Sequence, residues 1–244
     1  GRTPLHLAIK KKQTDIAMKL IENLQASPDQ LNVKDKGGDT PLLCAIRYGQ
    51  TEVAMKLIEY LKASPDQLSV LNVDHWAALF LAIQKGYTDI ALELIEYLKA
   101  LPELLNMKDK NGRTPLHLAI ENEQINVAMK LIENLQESPD QLNVADDEGS
   151  TPLHVAILMK QEDIALKLIE HLQSSPDQLN VVDKYGSTPL HNILINASAI
   201  GCDLPIVAMK LIECLKASPD QLNVKDKNGE TPLSLAIIDE ETDI

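Results

Sequence analysis

A chain of 244 residues admits one large domain or two ordinary ones, but aromatic residues are only 3% of it against 44% apolar, so its core must be aliphatic. That favours packed helices over a sandwich. With 36 acidic and 23 basic residues, the formal charge of -13 repels a phosphate backbone and argues against nucleic acid as a partner, although residues 1 to 36 are locally basic.

No apolar run approaches the roughly 18 to 20 residues that span a bilayer, so no membrane partner is expected. Cys44, Cys202 and Cys214 lack the spacing of a zinc site or a disulfide framework. A reducing, intracellular and cytoplasmic setting follows.

In chain order, Thr-Pro-Leu begins at Thr3, Thr40, Thr114, Thr151, Thr188 and Thr231, with a degenerate Ala77-Ala78-Leu79 between the second and third. The steps are 37, 37, 37, 37, 37 and 43, so the chain reads as a linear array of about seven units, the first and last incomplete. Residues 1–244 are expected to form a single domain without linkers.

The third unit, Asn72 to Phe80, has lost the Gly, Thr, Pro and His of its neighbours, which predicts a distorted turn. The fourth unit is complete: Asn111-Gly112 supplies a turn, Thr114 caps a helix and Pro115 takes its first position. A second helix then runs from about Ile125 to Glu137 with one apolar stripe, Val127, Ala128, Leu131, Ile132 and Leu135. Ser-Pro-Asp-Gln follows the second helix in most units, and the spacing of Ser27 and Gln30 predicts a capping box opening a short helical turn. In the sixth unit six residues are inserted near Asn196 to Pro205, between the helices. A pair of short helices cannot bury its stripe alone, so stacking on neighbouring units must supply the core.

The signature at Gly112 to Ala119 and Gly149 to Ala156, Gly-x-Thr-Pro-Leu-His-x-Ala, followed by an amphipathic helix ending in Leu-Ile-Glu, resembles the ankyrin repeat. The resemblance covers the whole chain and implies an all-α, ankyrin-type helical repeat solenoid with hairpin-like turns between repeats. These repeats run to 37 residues against the usual 33 or so, because the second helix continues into Ser-Pro-Asp-Gln-Leu-Asn-Val, which lengthens each unit by about four residues.

Candidate chemistry is sparse. His6, His117, His154 and His191 recur at one helical position, but stacked units lie on the order of 10 Å apart, whereas zinc holds all its ligands within about 2.1 Å. Hydrogen bonds to turn or cap groups are the expected role, and neither a metal nor a cofactor is expected. No nucleophile elbow, zinc-protease helix or phosphate-cradling loop is present, so the chain reads as no enzyme. Asn32, Asn106, Asn143, Asn180 and Asn223 precede the turns, where side-chain bonds to nearby backbone are expected. In proteins of the resembled family an Asn at this place can be hydroxylated by an oxygen-sensing dioxygenase.

The resemblance implies a protein-protein interaction scaffold whose partner is held by the turn tips and the exposed side of the first helices, a concave face. By register the partner-binding candidates are Arg47, Tyr48, Trp76, Arg113, Leu158, Met159 and Tyr185, large side chains where the repeat pattern tolerates any polar residue. An inward-folded Trp76 is the competing expectation. The partner is another protein and the chain a monomer. An alternative is the substrate- or host-targeting region of a larger multidomain enzyme or bacterial effector, delivered in the latter case into a host cytosol. Both ends fall inside repeats, which predicts a fragment of a longer protein.

Overall fold

The computed structural model describes residues 1–24, 27–200, 204–216 and 218–240. Among them every regular element is an α-helix. By internal contacts the chain forms two compact units, Gly1–Lys110 and Asn111–Ile244.

The first unit holds three copies of one motif: α1 (Pro4–Lys10), α2 (Thr14–Leu24) and α3 (Pro28–Leu31); α4 (Pro41–Arg47), α5 (Thr51–Leu61) and α6 (Pro65–Leu68); and α7 (Ala78–Gln84), α8 (Thr88–Leu98) and α9 (Pro102–Leu105). First helices pack on first helices, α1 on α4 and α4 on α7, and second helices on second helices, α2 on α5 and α5 on α8. Between the two layers lies the core, where Ile9, Ile46, Leu57, Ile58, Ile83 and Leu94 are wholly excluded from solvent. Each such side chain contributes about 1.5–3 kcal/mol over its exposed state.

The second unit repeats the arrangement with α10 (Pro115–Glu121), α11 (Ile125–Leu135) and α12 (Pro139–Leu142); α13 (Pro152–Leu158), α14 (Glu162–Leu172) and α15 (Pro176–Leu179); α16 (Pro189–Ile200), α17 (Pro205–Leu215) and α18 (Pro219–Leu222); and finally α19 (Pro232–Glu240). The stripe expected on the second helix, Val127, Ala128, Leu131, Ile132 and Leu135, is the buried face of α11. Most of the insertion expected between the helices instead lengthens the first one, since α16 has 12 residues where α13 has 7. An apolar, uncharged run from Ile193 to Ile200 with only small polar interruptions continues the helix rather than ending it. Cys202 lies outside the described residues.

The short third helices form where Ser-Pro-Asp-Gln predicts them, but no Ser side chain caps one: at Ser64, Ser138 and Ser175 the side chain makes no capping bond. The Gln of the expected box does not accept the Ser amide, because that amide already donates to a carbonyl of the preceding helix, Ser64 to Leu61 and Ser175 to Leu172, both at 2.9 Å. Gln67 Nε2 donates to Asp29 Oδ1 at 3.0 Å, and Gln178 and Gln221 likewise bond Asp140 and Asp177. The Asn residues before the turns also reach across repeats rather than to nearby backbone. Asn32 Nδ2 donates to the Gln67 carbonyl at 2.9 Å, Asn143 to that of Gln178 at 2.7 Å and Asn180 to that of Gln221 at 2.8 Å. Ser69, too short to reach, bonds the Asp66 carbonyl of its own helix at 3.1 Å.

Candidate functional site: turn tips and first helices

Each turn is built on one carboxylate. Asp146 Oδ1 accepts the amides of Glu148 and Ser150 at 2.9 Å, and Asp183 Oδ1 those of Tyr185 and Ser187 at 2.8 and 2.9 Å. A Gly with positive φ, Gly149 at 78° and Gly186 at 77°, then reverses the chain without the steric penalty of a Cβ. Successive tips are tied by backbone, with Lys184 N–H donating to the Glu148 carbonyl at 2.7 Å and Lys227 N–H to that of Tyr185 at 2.9 Å.

The third turn was expected to be distorted, and it is not. Asn72 stands where the others have Asp, and its Oδ1 accepts the amides of Asp74 and Trp76, both at 2.9 Å. His75 takes the glycine's left-handed conformation at φ 60°. An amide oxygen serves as well as a carboxylate here, and Asn72 Nδ2 gains a bond to Asp39 Oδ1 at 2.8 Å. In the turn of Asp35, burial raises the carboxyl pKa, but the amides of Gly37 and Asp39 outweigh it and the net shift is downward.

Beneath the tips run the histidines. His154 Nδ1 accepts the Thr151 amide at 3.2 Å and pairs with the Thr151 hydroxyl at 2.9 Å. Its Nε2 lies 3.2 Å from the Ser187 carbonyl, an acceptor only, so Nε2 carries the proton and the ring is neutral. His6, His117 and His191 make the same bonds to Asp39, Ser150 and Glu230, at 3.0, 3.0 and 3.2 Å. Each of these four histidines thus fixes the entry of its own helix and holds the next turn. Among the described residues no group of three or more His, Cys, Asp or Glu is placed to hold a metal ion.

In the first unit, Arg47 grips Asp39 with Nε and Nη2 at 3.0 and 3.1 Å, holding α4 to the turn before it. Tyr48, half-buried at the end of α4, lines a cleft with Lys12, Thr14, Thr51 and Glu52 beside the loops that join first and second helices. Trp76 is elsewhere: half-buried, it stands edge-on to Phe80 with ring centroids 6.3 Å apart and planes at 75°. Phe80 fills the slot that His occupies in other repeats and is fully buried. The inward-folded and the exposed readings of Trp76 therefore each hold for part of the ring. The loss of the His was visible in the sequence; that the neighbouring Trp would cover its replacement was not.

In the second unit, Arg113 bonds Glu121 at 2.8 Å. Leu158, Met159 and Tyr185 come together in one groove of about 580 Å³, floored also by Val155 and Ile195. Tyr185 is 61% exposed and Leu158 48%, large apolar surfaces left open where the repeat pattern does not require them. The groove's rim carries Glu121, Asp146, Glu148, Asp183 and Asp226, against Lys184 as the cation among its described lining residues. Sequence register had indicated Leu158, Met159 and Tyr185. The three turn aspartates were not among the residues that register indicated.

Pairs of short antiparallel helices, joined by carboxylate-nucleated turns and stacked through a histidine ladder, define a helical repeat scaffold. Residues 5–104 and 92–180 match the family model of ankyrin repeats (3 copies), and the chain belongs to the ankyrin repeat family. Ankyrin repeats are protein-protein interaction modules. Among solved structures the ankyrin repeat domain of Bcl-3, described as a unique member of the IkappaB protein family, is similar in fold, with a TM-score of 0.65 at 24% identity over 97% of this chain and 94% of that one. No curated protein sequence matches significantly. Among the described residues no helix is long and apolar enough to cross a membrane.

Proposed function

We propose that the chain is a non-catalytic scaffold that holds a partner protein on its turn tips and first helices, with the groove of Leu158, Met159 and Tyr185 as the principal anchor site. The observation that carries this reading is the exposure of Tyr185 and Leu158 over one groove that Met159 also lines. Open Tyr side chains and Met are enriched at protein interfaces, and Tyr among their hot spots. Trp76 and Arg47 give the first unit a second, more polar contact area of the same kind.

The outer faces of α5 and α14 are poor candidates for the contact, since they carry local ion pairs, Lys56 with Glu59 and Lys167 with Glu170, both at 2.9 Å. Exposed pairs of that type are well solvated and offer little to a partner.

Quantitative mass spectrometry of proteins retained by the immobilised chain tests the assignment. Tyr185→Ala and Trp76→Ala should each lose proteins that the wild type and a Lys56→Ala control retain. Loss on the Lys56→Ala variant alone would move the binding surface to the second helices.

A further inference from the structure

We propose that the groove at Tyr185 is selective for a basic segment, an Arg- or Lys-bearing stretch of peptide that presents an apolar anchor. The inference rests on the docking reading above and adds the chemistry of the occupant. Two features of one groove converge on it.

The floor is apolar: Val155, Leu158, Met159, Ile195 and the Tyr185 ring enclose about 580 Å³. That volume accepts one or two large aliphatic or aromatic side chains rather than a whole folded element. The rim is acidic, with five carboxylates against Lys184 among the described lining residues. Glu148 is answered by Lys184 and Glu121 by Arg113.

The three turn aspartates are different. Asp146, Asp183 and Asp226 each spend Oδ1 on two amides of their own turn, which orients the carboxylate without neutralising its charge, and Asp226, the most buried of the three, also accepts from Asn228 Nδ2 at Oδ2. They recur once per repeat, so negative charge is set in a fixed row along the groove. A row of like charges on a rigid backbone is complementary to a cationic chain and repels an acidic one. The chain's formal charge of -13 attracts the same class of partner from a distance.

The turn chemistry offers a variant that changes charge alone. Asn72 already performs the aspartate's role in the third turn, with the same two amide bonds. Asp146→Asn, Asp183→Asn and Asp226→Asn combined should therefore keep the amide bonds of the turns and remove three charges, at the cost of the one side-chain bond from Asn228 Nδ2 to Asp226 Oδ2.

Random dodecapeptides displayed on phage are selected against the full chain, and synthetic copies of the enriched peptides are measured by fluorescence anisotropy. The proposal expects enrichment of Arg or Lys beside Leu, Met or an aromatic residue, loss of binding on Tyr185→Ala, and at least about tenfold weaker binding to the triple Asn variant. On the wild type alone, raising salt from about 50 to 500 mM should weaken these peptides severalfold, a readout that stands if the triple variant unfolds. Neutral or acidic peptides that depend on Tyr185 but ignore both salt and the Asn substitutions would overturn the charge selectivity while leaving the groove as a docking site. Peptides indifferent to Tyr185→Ala would overturn the docking reading itself.

Discussion

The imidazole of His154 donates to the carbonyl of Ser187, 33 residues further along the chain, and this one bond ties the helix entry of one repeat to the turn of the next. The bond requires a neutral ring with its proton on Nε2. Burial depresses the pKa of His154, against the opposing pull of the Ser187 carbonyl and of Asp183 and Asp146. A folded pKa below the unfolded value of about 6.5 means that the stabilisation is complete above that pH and is lost as pH falls through the folded value. Thermal midpoints should therefore decline between about pH 6.5 and pH 5, a window above ordinary carboxylate titration. In His154→Gln the decline should be shallower; a wild-type midpoint that stays flat across this window would contradict the assignment.

Backbone handedness yields a paired prediction. His75 holds a glycine's conformation at φ 60°, so His75→Gly should raise stability by about 1 kcal/mol in urea titrations. Gly149→Ala should do the reverse and cost more than about 1 kcal/mol. Its Cβ would fall 3.1 Å from the Cα and carbonyl carbon of Asp183, backbone atoms that have no rotamer to yield. Equal midpoints for the two variants would refute the account of the turns.

Trp76 can be assigned by combining two measurements. Its edge-on contact with buried Phe80 predicts that Trp76→Ala costs about 1–2 kcal/mol of stability, more than an exposed side chain would. Its half-exposure predicts that acrylamide quenches its fluorescence in the folded chain, though less than in urea. A full-strength quench together with an unchanged urea midpoint would place the ring wholly in solvent.

The thiol of Cys44 is buried in α4, and burial, followed by the charges of Asp39 and Asp35, pushes its pKa up to about 12. The thiolate is the reactive form. Cys44 should resist a disulfide reagent at pH 8 until urea unfolds the first unit, as followed by mass spectrometry of its peptide. Prompt labelling under native conditions would mean that α4 opens locally.

The repeat register, the helix pairs and the buried stripes were legible in the sequence because each depends on spacing within one repeat or on its recurrence every 37 residues. Thr114-Pro115 marks a helix start whatever surrounds it. The uses of Gln67 and Asn32 were not legible in this way. Within one repeat Gln67 has the spacing of a capping partner and Asn32 that of a turn former; only stacking brings Asp29 and the Gln67 carbonyl within reach. The turn at Asn72 was misjudged for the opposite reason. The sequence pattern treats the loss of Gly, Thr, Pro and His as damage, whereas Asn72 supplies the oxygen that the turn needs and His75 tolerates the left-handed geometry at a modest cost. At the groove, Leu158, Met159 and Tyr185 stood out as large side chains at permissive positions. The turn aspartates did not, since one atom serves the fold while the charge of the group faces a separate demand.

The six extra residues of the sixth repeat leave three rungs around them in place. His191 still meets Glu230, Asn180 still meets the Gln221 carbonyl and Gln221 still meets Asp177, at separations of 39, 41 and 44 residues where uninterrupted repeats have 33, 35 and 38. All three links are lengthened by the same amount and none is broken. The junction of α16 and α17 is thus a natural splice point, one at which new sequence can be grafted without rewriting the addresses by which neighbouring cassettes find each other.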